Sequence, residues 1–198
     1  MAFATIKRGS SPNGVFIISK EDSPFFISNS QLVKWDLAEG QELDEEQYQQ
    51  VLQLKRQSDC VDKALLFLSI REHTALELTR KLQAKGFSME EITNTVRQLQ
   101  SDGSLDEKRY CEALIHSRQR KNPEGKVLLM QRLLSKGVSR QNAQDAIENA
   151  FEENPGQYVR QAYLQVSKTT TDPQKIILKL QRKGFSYSEI KKCMNHNE

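Results

Sequence analysis

The chain has 198 residues, 37% of them hydrophobic and 28% charged, with a formal net charge of +3. That composition suits thin, well-solvated modules better than one large core, and the net charge is too small to mark a nucleic-acid binder by itself. No apolar run approaches the ~18 residues of a membrane span and the first residues lack the apolar core of a signal peptide. Cys60, Cys111 and Cys193, odd in number and without a C-x-x-C, suggest neither a disulfide framework nor a zinc site, so a soluble protein of the reduced cytoplasm is expected.

Residues 3–8, 15–19 and 24–28 are short and rich in β-branched and aromatic side chains, with SSPNG and KEDS supplying turn chemistry between them. They predict a small antiparallel sheet. Residues 29–37 follow as a short helix with Ser30 as its cap, stopped by Gly40, and this helix covers the sheet. The head therefore spans 1–43. Asp44 with Gln47 opens a polar helix over 44–57, whose narrow stripe of Tyr48, Val51 and Leu52 marks a connector. Ser58 or Asp59 is expected to cap a new helix beyond it.

From there the chain repeats itself. Residues 74–92, 125–143 and 172–190 align on Gly86, Gly137 and Gly184. Eight residues before each glycine stands Leu78, Leu129 or Ile176, four before stands Leu82, Leu133 or Leu180, and six after stands Ile92, Ala143 or Ile190. Apolar residues four apart share a helix face. A glycine can adopt the left-handed conformation that ends a helix, and Ser88, Ser139 and Ser186 can cap the next one. Ser88 with Glu91 and Ser186 with Glu189 form S-x-x-E boxes, whereas Ser139 faces Asn142. A further helix precedes each hairpin, with Val61, Ala64, Leu65 and Leu68 matched to Tyr110, Ala113, Leu114 and Ser117, then to Val159, Ala162, Tyr163 and Val166. Its starts are marked by Ser104 with Glu107 and by Asn154 before Pro155, and those of the middle helices by Asn122 before Pro123 and Asp172 before Pro173. The prediction is a mainly α protein of tandem three-helix repeats over 58–103, 104–154 and 155–198 in an elongated curved array, with a small N-terminal β-rich head.

Basic residues repeat beside the apolar stripe: Lys81, Arg132 and Lys179 five before the glycine, and Lys85, Lys136 and Lys183 one before it. With Arg80, Lys126, Lys175 and Arg182 they form the candidate partner- or DNA-binding strip, expected to be solvent-exposed. Cations near a helix C-terminus also complement the macrodipole, so a structural role competes with a track for something acidic.

Catalytic chemistry finds little support. Gly125-Lys126 resembles the end of a phosphate loop, but Arg120 stands where its first glycine is required and no Ser or Thr follows the lysine. His73, His116 and His196 are scattered, and His116, five residues from Cys111, does not share a helix face with it as a metal pair would. Glu90, Glu91, Asp145, Glu148, Glu152 and Glu153 fall in polar helical stretches where nothing would perturb them, and no nucleophile has a base at recognisable spacing. No enzyme, metal or cofactor is expected. The hairpin also has the skeleton of a DNA-reading helix-turn-helix, but its second helix is acidic: residues 88–103 carry Glu90, Glu91 and Asp102 against Arg97, and residues 139–154 carry Asp145, Glu148, Glu152 and Glu153 against Arg140. Phosphate repels such a helix.

The stretch ALLFLSIREHTALELTRKLQAKGF (64–87), the joint SDGSLDEKRYCEALIHSR (101–118) and the hairpin LLSKGVS (133–139) resemble the RecX family of RecA regulators. The resemblance covers about 58–198, more loosely in the third repeat, and the head resembles the extension that some members carry. Tyr110-Cys111 departs from the usual Phe-Ala, a change that leaves helix packing intact. The resemblance implies an all-helical monomer lying in the groove of the RecA filament on single-stranded DNA, where it modulates, usually inhibits, ATP hydrolysis, strand exchange and coprotease activity. A long face built of several like contacts would bind such a filament by avidity. The alternative is a general nucleic-acid-binding protein, with weak direct DNA binding through the basic strips.

Overall fold

The computed structural model describes residues 2–9 and 12–195. Strands β1 (Ala4–Arg8), β2 (Gly14–Ser19), β3 (Phe25–Ser28) and β4 (Glu42–Leu43) form an antiparallel sheet in the order β3-β2-β1-β4. Alternation along the strands turns Ala4, Ile6, Val15, Ile17 and Ile27 to one face, where they are buried with Leu43, Tyr48 and Val51. Helix α1 (Asn29–Lys34) follows β3 directly. Its cap is Ser28 rather than Ser30, because a reciprocal box needs Gln or Glu three residues on, and Ser28 has Gln31 there while Ser30 has Val33. Part of the predicted SSPNG turn, Ser10 and Ser11, lies outside the described residues.

Helix α2 (Glu45–Ile70) is continuous over 26 residues. The Asp44–Gln47 box opens it as expected, but the break expected at Ser58 or Asp59 is absent. No glycine or proline interrupts this stretch, Asp59 pairs with Lys55 one turn earlier, and the Ser58 hydroxyl accepts a 2.9 Å bond from Gln31 of α1. One helix thus serves two cores: Tyr48 and Val51 lie under the sheet, while Cys60 and Ala64 enter the first helical cluster.

The remaining helices are α3 (Ala75–Gln83), α4 (Met89–Ser101), α5 (Glu107–Lys121), α6 (Lys126–Ser135), α7 (Arg140–Glu153), α8 (Gln157–Ser167), α9 (Pro173–Arg182) and α10 (Tyr187–Asn195). They group in threes, α2-α3-α4, α5-α6-α7 and α8-α9-α10, each around its own apolar cluster. Leu82, Leu133 and Leu180 are fully enclosed in these clusters, and Gly86, Gly137 and Gly184 all adopt positive φ at the turns.

In the first helices the match between the first and third units holds, and only the middle unit is displaced from it, by two residues. Ala64, Ile115 and Ala162, each 22 residues before its glycine, occupy the buried position, whereas Ala113 is exposed. Several caps also differ. Asp106, not Ser104, caps α5, accepting from the amides of Lys108 and Arg109. Asn122 closes α5 instead of opening α6, whose cap is Gly125. Asn154 serves the end of α7, its amide donating to the Ala150 carbonyl at 3.2 Å, and Gly156 precedes α8. The caps at Ser88, Ser139, Asp172 and Ser186 form as expected. The incomplete box at Ser139 is finished from another helix: Glu107 of α5 accepts from the Ser139 amide at 3.2 Å and its hydroxyl at 2.8 Å.

Truncating Leu133 to Ala should cost about 2–5 kcal/mol, the range for fully enclosed leucines. Leu82→Ala and Leu180→Ala should fall in the same range, as read by urea unfolding. A near-neutral result at any of the three would show that its cluster is not a packed core.

Candidate interaction surface

The two basic rows do different work. The row five before the glycine folds back onto the connector between the first two helices of its own unit. Lys81 Nζ lies 2.7 Å from His73 Nε2 and 4.7 Å from the centre of the Phe67 ring; Arg132 Nε donates to Glu124 Oε2 at 2.6 Å; Lys179 Nζ donates to Thr169 Oγ1 at 2.9 Å. His73 and Glu124 stand at equivalent places, 13 before the glycine, and both are about 1% exposed. A buried acceptor left alone is costly, and the repeated cation supplies its partner. Glu124 Oε1 has no partner of its own.

The row one before the glycine joins units to each other. The Lys136 carbonyl accepts from the Thr74 hydroxyl at 2.7 Å, and Lys136 Nζ meets Glu77 Oε1 at 2.8 Å. Thr74 and Glu77 are the N-cap and third residue of α3, so the turn after α6 sits on the start of α3. The same joint recurs one unit on. The Lys183 carbonyl accepts from the Gly125 amide at 2.8 Å, Lys183 Nζ donates to Asn122 Oδ1, and the turn after α9 sits on the start of α6. The backbones approach so closely that a Cβ on Gly125 would lie 2.1 Å from the Gly184 oxygen. Burial at this contact pushes the Lys183 pKa below its usual value, opposed by the Glu124 charge.

The expected continuous exposed strip is therefore broken, and Lys81, Arg132 and Lys183 are only half-exposed. Lys126 lies over the Phe151 ring at 5.2 Å and Lys175 sits 3.7 Å from Asp172. Arg80, Lys85 and Arg182 are exposed and, among the described residues, make no side-chain bond. Two features went unnoticed in the sequence. A polar cleft of about 580 Å³ between the first two units gathers Arg71, Arg118, Lys121 and Lys136 around Glu72 and Glu77; α5 ends in the basic run that could have flagged it. On the outer face of the head, Lys7, Phe16 and Phe26 stand side by side on three strands, the two rings 5.5 Å apart and each a little over one-third exposed.

Two further titratable groups, Glu91 and Cys111, are enclosed within the units. Glu91 is not solvated as expected but buried, donated to by Arg56 at 2.7 Å; burial alone would raise its pKa, and the bonds from Arg56 and Ser88 hold it below the usual range. Burial pushes the Cys111 thiol up to about 12, outside the reactive range. Among the described residues no group of His, Cys, Asp and Glu could hold a metal, and no helix is long and apolar enough to cross a membrane. His116 is exposed, and His196 lies outside the described residues.

In this tandem array of three-helix units the conspicuous polar residues serve packing and docking. Profiles described as the first and second three-helix domains of RecX match residues 60–99 and 106–147. The chain is 25% identical to the regulatory protein RecX of Bacillus subtilis over 98% of its own length and 75% of that protein's, and 29% identical to that of Bacillus pumilus over 91% and 71%. A crystal structure of regulatory protein RecX superposes with a TM-score of 0.78 at 20% identity, covering 98% of this chain and 100% of that one. Two consecutive units of this chain thus match the RecX family, and the relatives to which it is similar are named regulatory proteins.

Two expectations follow from the joints. Gly125→Ala, sterically blocked by the Gly184 carbonyl, should destabilise by about 1–3 kcal/mol and remove hydrogen-exchange protection from the Gly125 amide; full protection would mean that the joint can absorb a methyl group. The second concerns pH. Burial lowers the His73 pKa from 6.5, with the Arg71 and Lys81 charges acting in the same direction and the Arg71 carbonyl and Glu77 opposing. The unfolded chain then binds the proton more readily, so stability falls as pH drops through 6.5 toward the folded value. Burial would raise Glu77, but bonds from Lys136 and Arg71 outweigh it and hold it below 4.5; its contribution is present above 4.5 and is lost as pH falls through the folded value. The unfolding midpoint should drop between about pH 7.5 and 5.5, less so in His73→Gln. Identical slopes in both proteins would clear His73 of the effect.

Proposed function

We propose that this protein regulates RecA, as an inhibitor that lies in the groove of the RecA filament on single-stranded DNA and lowers its ATP turnover, strand exchange and coprotease activity in recombination, DNA repair and the SOS response. It acts in the cytoplasm as a monomer. The observation that carries this reading is the match to RecX on two consecutive units, together with a likeness in fold over nearly the whole chain. The repeated joint supports it, because units fixed to one another at recurring intervals suit a partner that repeats its own surface.

The ten candidate cations are divided by their surroundings. Arg80, Lys85 and Arg182 are the members free to meet a filament, with Lys126 and Lys175 at its margin, whereas Lys81, Arg132, Lys136, Lys179 and Lys183 are engaged in holding the array. The test follows ATP turnover by RecA on single-stranded DNA as the protein is added. Inhibition is expected, and reversing Arg80, Lys85 and Arg182 to Glu should weaken it stepwise with little change in stability. Arg132→Ala should instead lose up to about 3 kcal/mol of stability, because it strands the enclosed Glu124 carboxylate. No effect of the wild-type protein on turnover or strand exchange would overturn the proposal.

A second reading, direct binding of single strands, is favoured by one feature. Phe16 and Phe26 with Lys7 form an exposed aromatic and basic face on the head, the kind of surface on which bases stack. If this face binds bare DNA, Phe16→Ala with Phe26→Ala should abolish that binding, and a salt series should give a slope of about −0.7 per phosphate contacted. Inhibition of RecA that persists in the double variant separates the two readings.

A further inference from the structure

The joint between units has two halves, and the array leaves one of each unused. The turns after α6 and α9 each offer a lysine carbonyl, a lysine ammonium and a glycine at which backbone can approach closely, and each is seated on the start of a middle helix in the preceding unit. Lys85-Gly86-Phe87, after α3, repeats the sequence of Lys183-Gly184-Phe185, and Gly86 has φ +85° against +82° and +87° at Gly137 and Gly184. Among the described residues no helix start is seated on it. No atom lies within 4 Å of a Cβ built on Gly86, Lys85 is exposed, and α2 carries the head to a separate core. Arg80 and Lys81 on the same helix end add positive charge.

We infer that the Lys85–Gly86 turn is an open docking end that receives the N-terminus of a helix from a partner protein, one bearing a Ser or Thr cap and an acidic residue three positions on. Thr74 and Glu77 show the chemistry: the hydroxyl donates to the turn carbonyl and the carboxylate takes the lysine. Continuity with the internal joints and the charge of the turn both select this occupant. A second copy of the chain does not fit, because its unused half offers Asp172 as the cap and Lys175 three residues on. The Asp172 amide already donates to the Thr170 hydroxyl at 3.3 Å, its side chain would fill the space that Gly125 leaves open in the internal joint, and Lys175 would face Lys85 with like charge.

This inference does not depend on the identity of the regulated protein and is tested with the full chain and a synthetic probe. The probe is a helix-stabilised peptide of residues 72–84, which carries Thr74 and Glu77, titrated to millimolar concentration while amide resonances are followed. Saturable shifts centred on Lys85, Gly86 and Phe87 are expected. They should weaken about tenfold with a Glu77→Lys peptide and be restored in part when that peptide meets a Lys85→Glu protein of unchanged unfolding midpoint. Absent shifts, shifts centred on the turn at Lys136, or indifference to both charge reversals would overturn the inference. Concentration-dependent dimerisation lost in Lys85→Glu would overturn the choice of occupant in favour of a second copy.

Discussion

Everything beyond the head depends on the seating of a helix-ending turn upon the first residues of another helix. Helix starts leave amides unsatisfied and carry partial positive charge; helix ends leave carbonyls unsatisfied. The Lys183 carbonyl accepts a helix-start amide and the Lys136 carbonyl accepts a capping hydroxyl, and at Gly184 the backbones touch without a side chain between them. At Gly184 a Cβ would lie 2.6 Å from the Leu128 amide nitrogen, so the close approach excludes any larger residue. In both joints the turn meets the start of a middle helix, while the donor changes from hydroxyl to amide and the lysine's partner from Glu77 to Asn122. What is repeated is the direction of approach rather than a particular bond.

Within each unit a second device fixes the helices. The connector before the middle helix would place a buried polar group beside the core, and the cation five before the glycine reaches back to it. The solution differs by unit: neutral His73 under Lys81, anionic Glu124 under Arg132, a threonine hydroxyl under Lys179. Only in the middle unit does this connector position hold a carboxylate, and a buried ion pair is costly to break and of little net worth to form. Its value here is positional, because Glu124 adjoins Gly125, the residue on which the next turn rests.

Much of this was legible in the sequence. The fixed spacing of Leu82, Leu133 and Leu180 to their glycines located the hairpins, since a helix face and a left-handed turn are both local properties. The strands were legible through β-branched and aromatic runs, apart from β4, whose two residues carry no pattern and are defined by pairing with Ala4 and Thr5. Caps failed where a tertiary contact outbid a local one. Ser58 serves Gln31, Asn154 serves the helix behind it, and Gly125 caps α6 without a side chain because Gly184 leaves no room for one. The first helix of the middle unit was misaligned because Tyr110, Ala113 and Leu114 have the same apolar spacing as Val61, Ala64 and Leu65, although Ala113 is exposed and Ile115 takes the buried place. The candidate surface suffered most. A lysine's position along a helix is visible in sequence, but whether its ammonium meets solvent, a histidine or the neighbouring unit depends on which units touch, and that is a property of the assembled array.

The division among the cations changes what repetition means in this chain. A residue type that recurs at one spacing invites a single explanation, either complementing the helix dipole or binding a partner. The structure shows a third possibility: the repeated lysine before the glycine is repeated because units repeat, and its partner is the preceding unit. Lys136 and Lys183 satisfy that rule; Lys85 is likewise followed by a glycine, but among the described residues no helix start is seated on its turn. A helix dipole alone would leave all three equally solvated, and an acidic track would leave all three equally available. The observed pattern, two engaged and one exposed, is what an array with a direction produces. Each unit presents a turn to the one before it and a helix start to the one after it, so the first turn and the last helix start are the positions where internal contacts end and contacts with other molecules can begin.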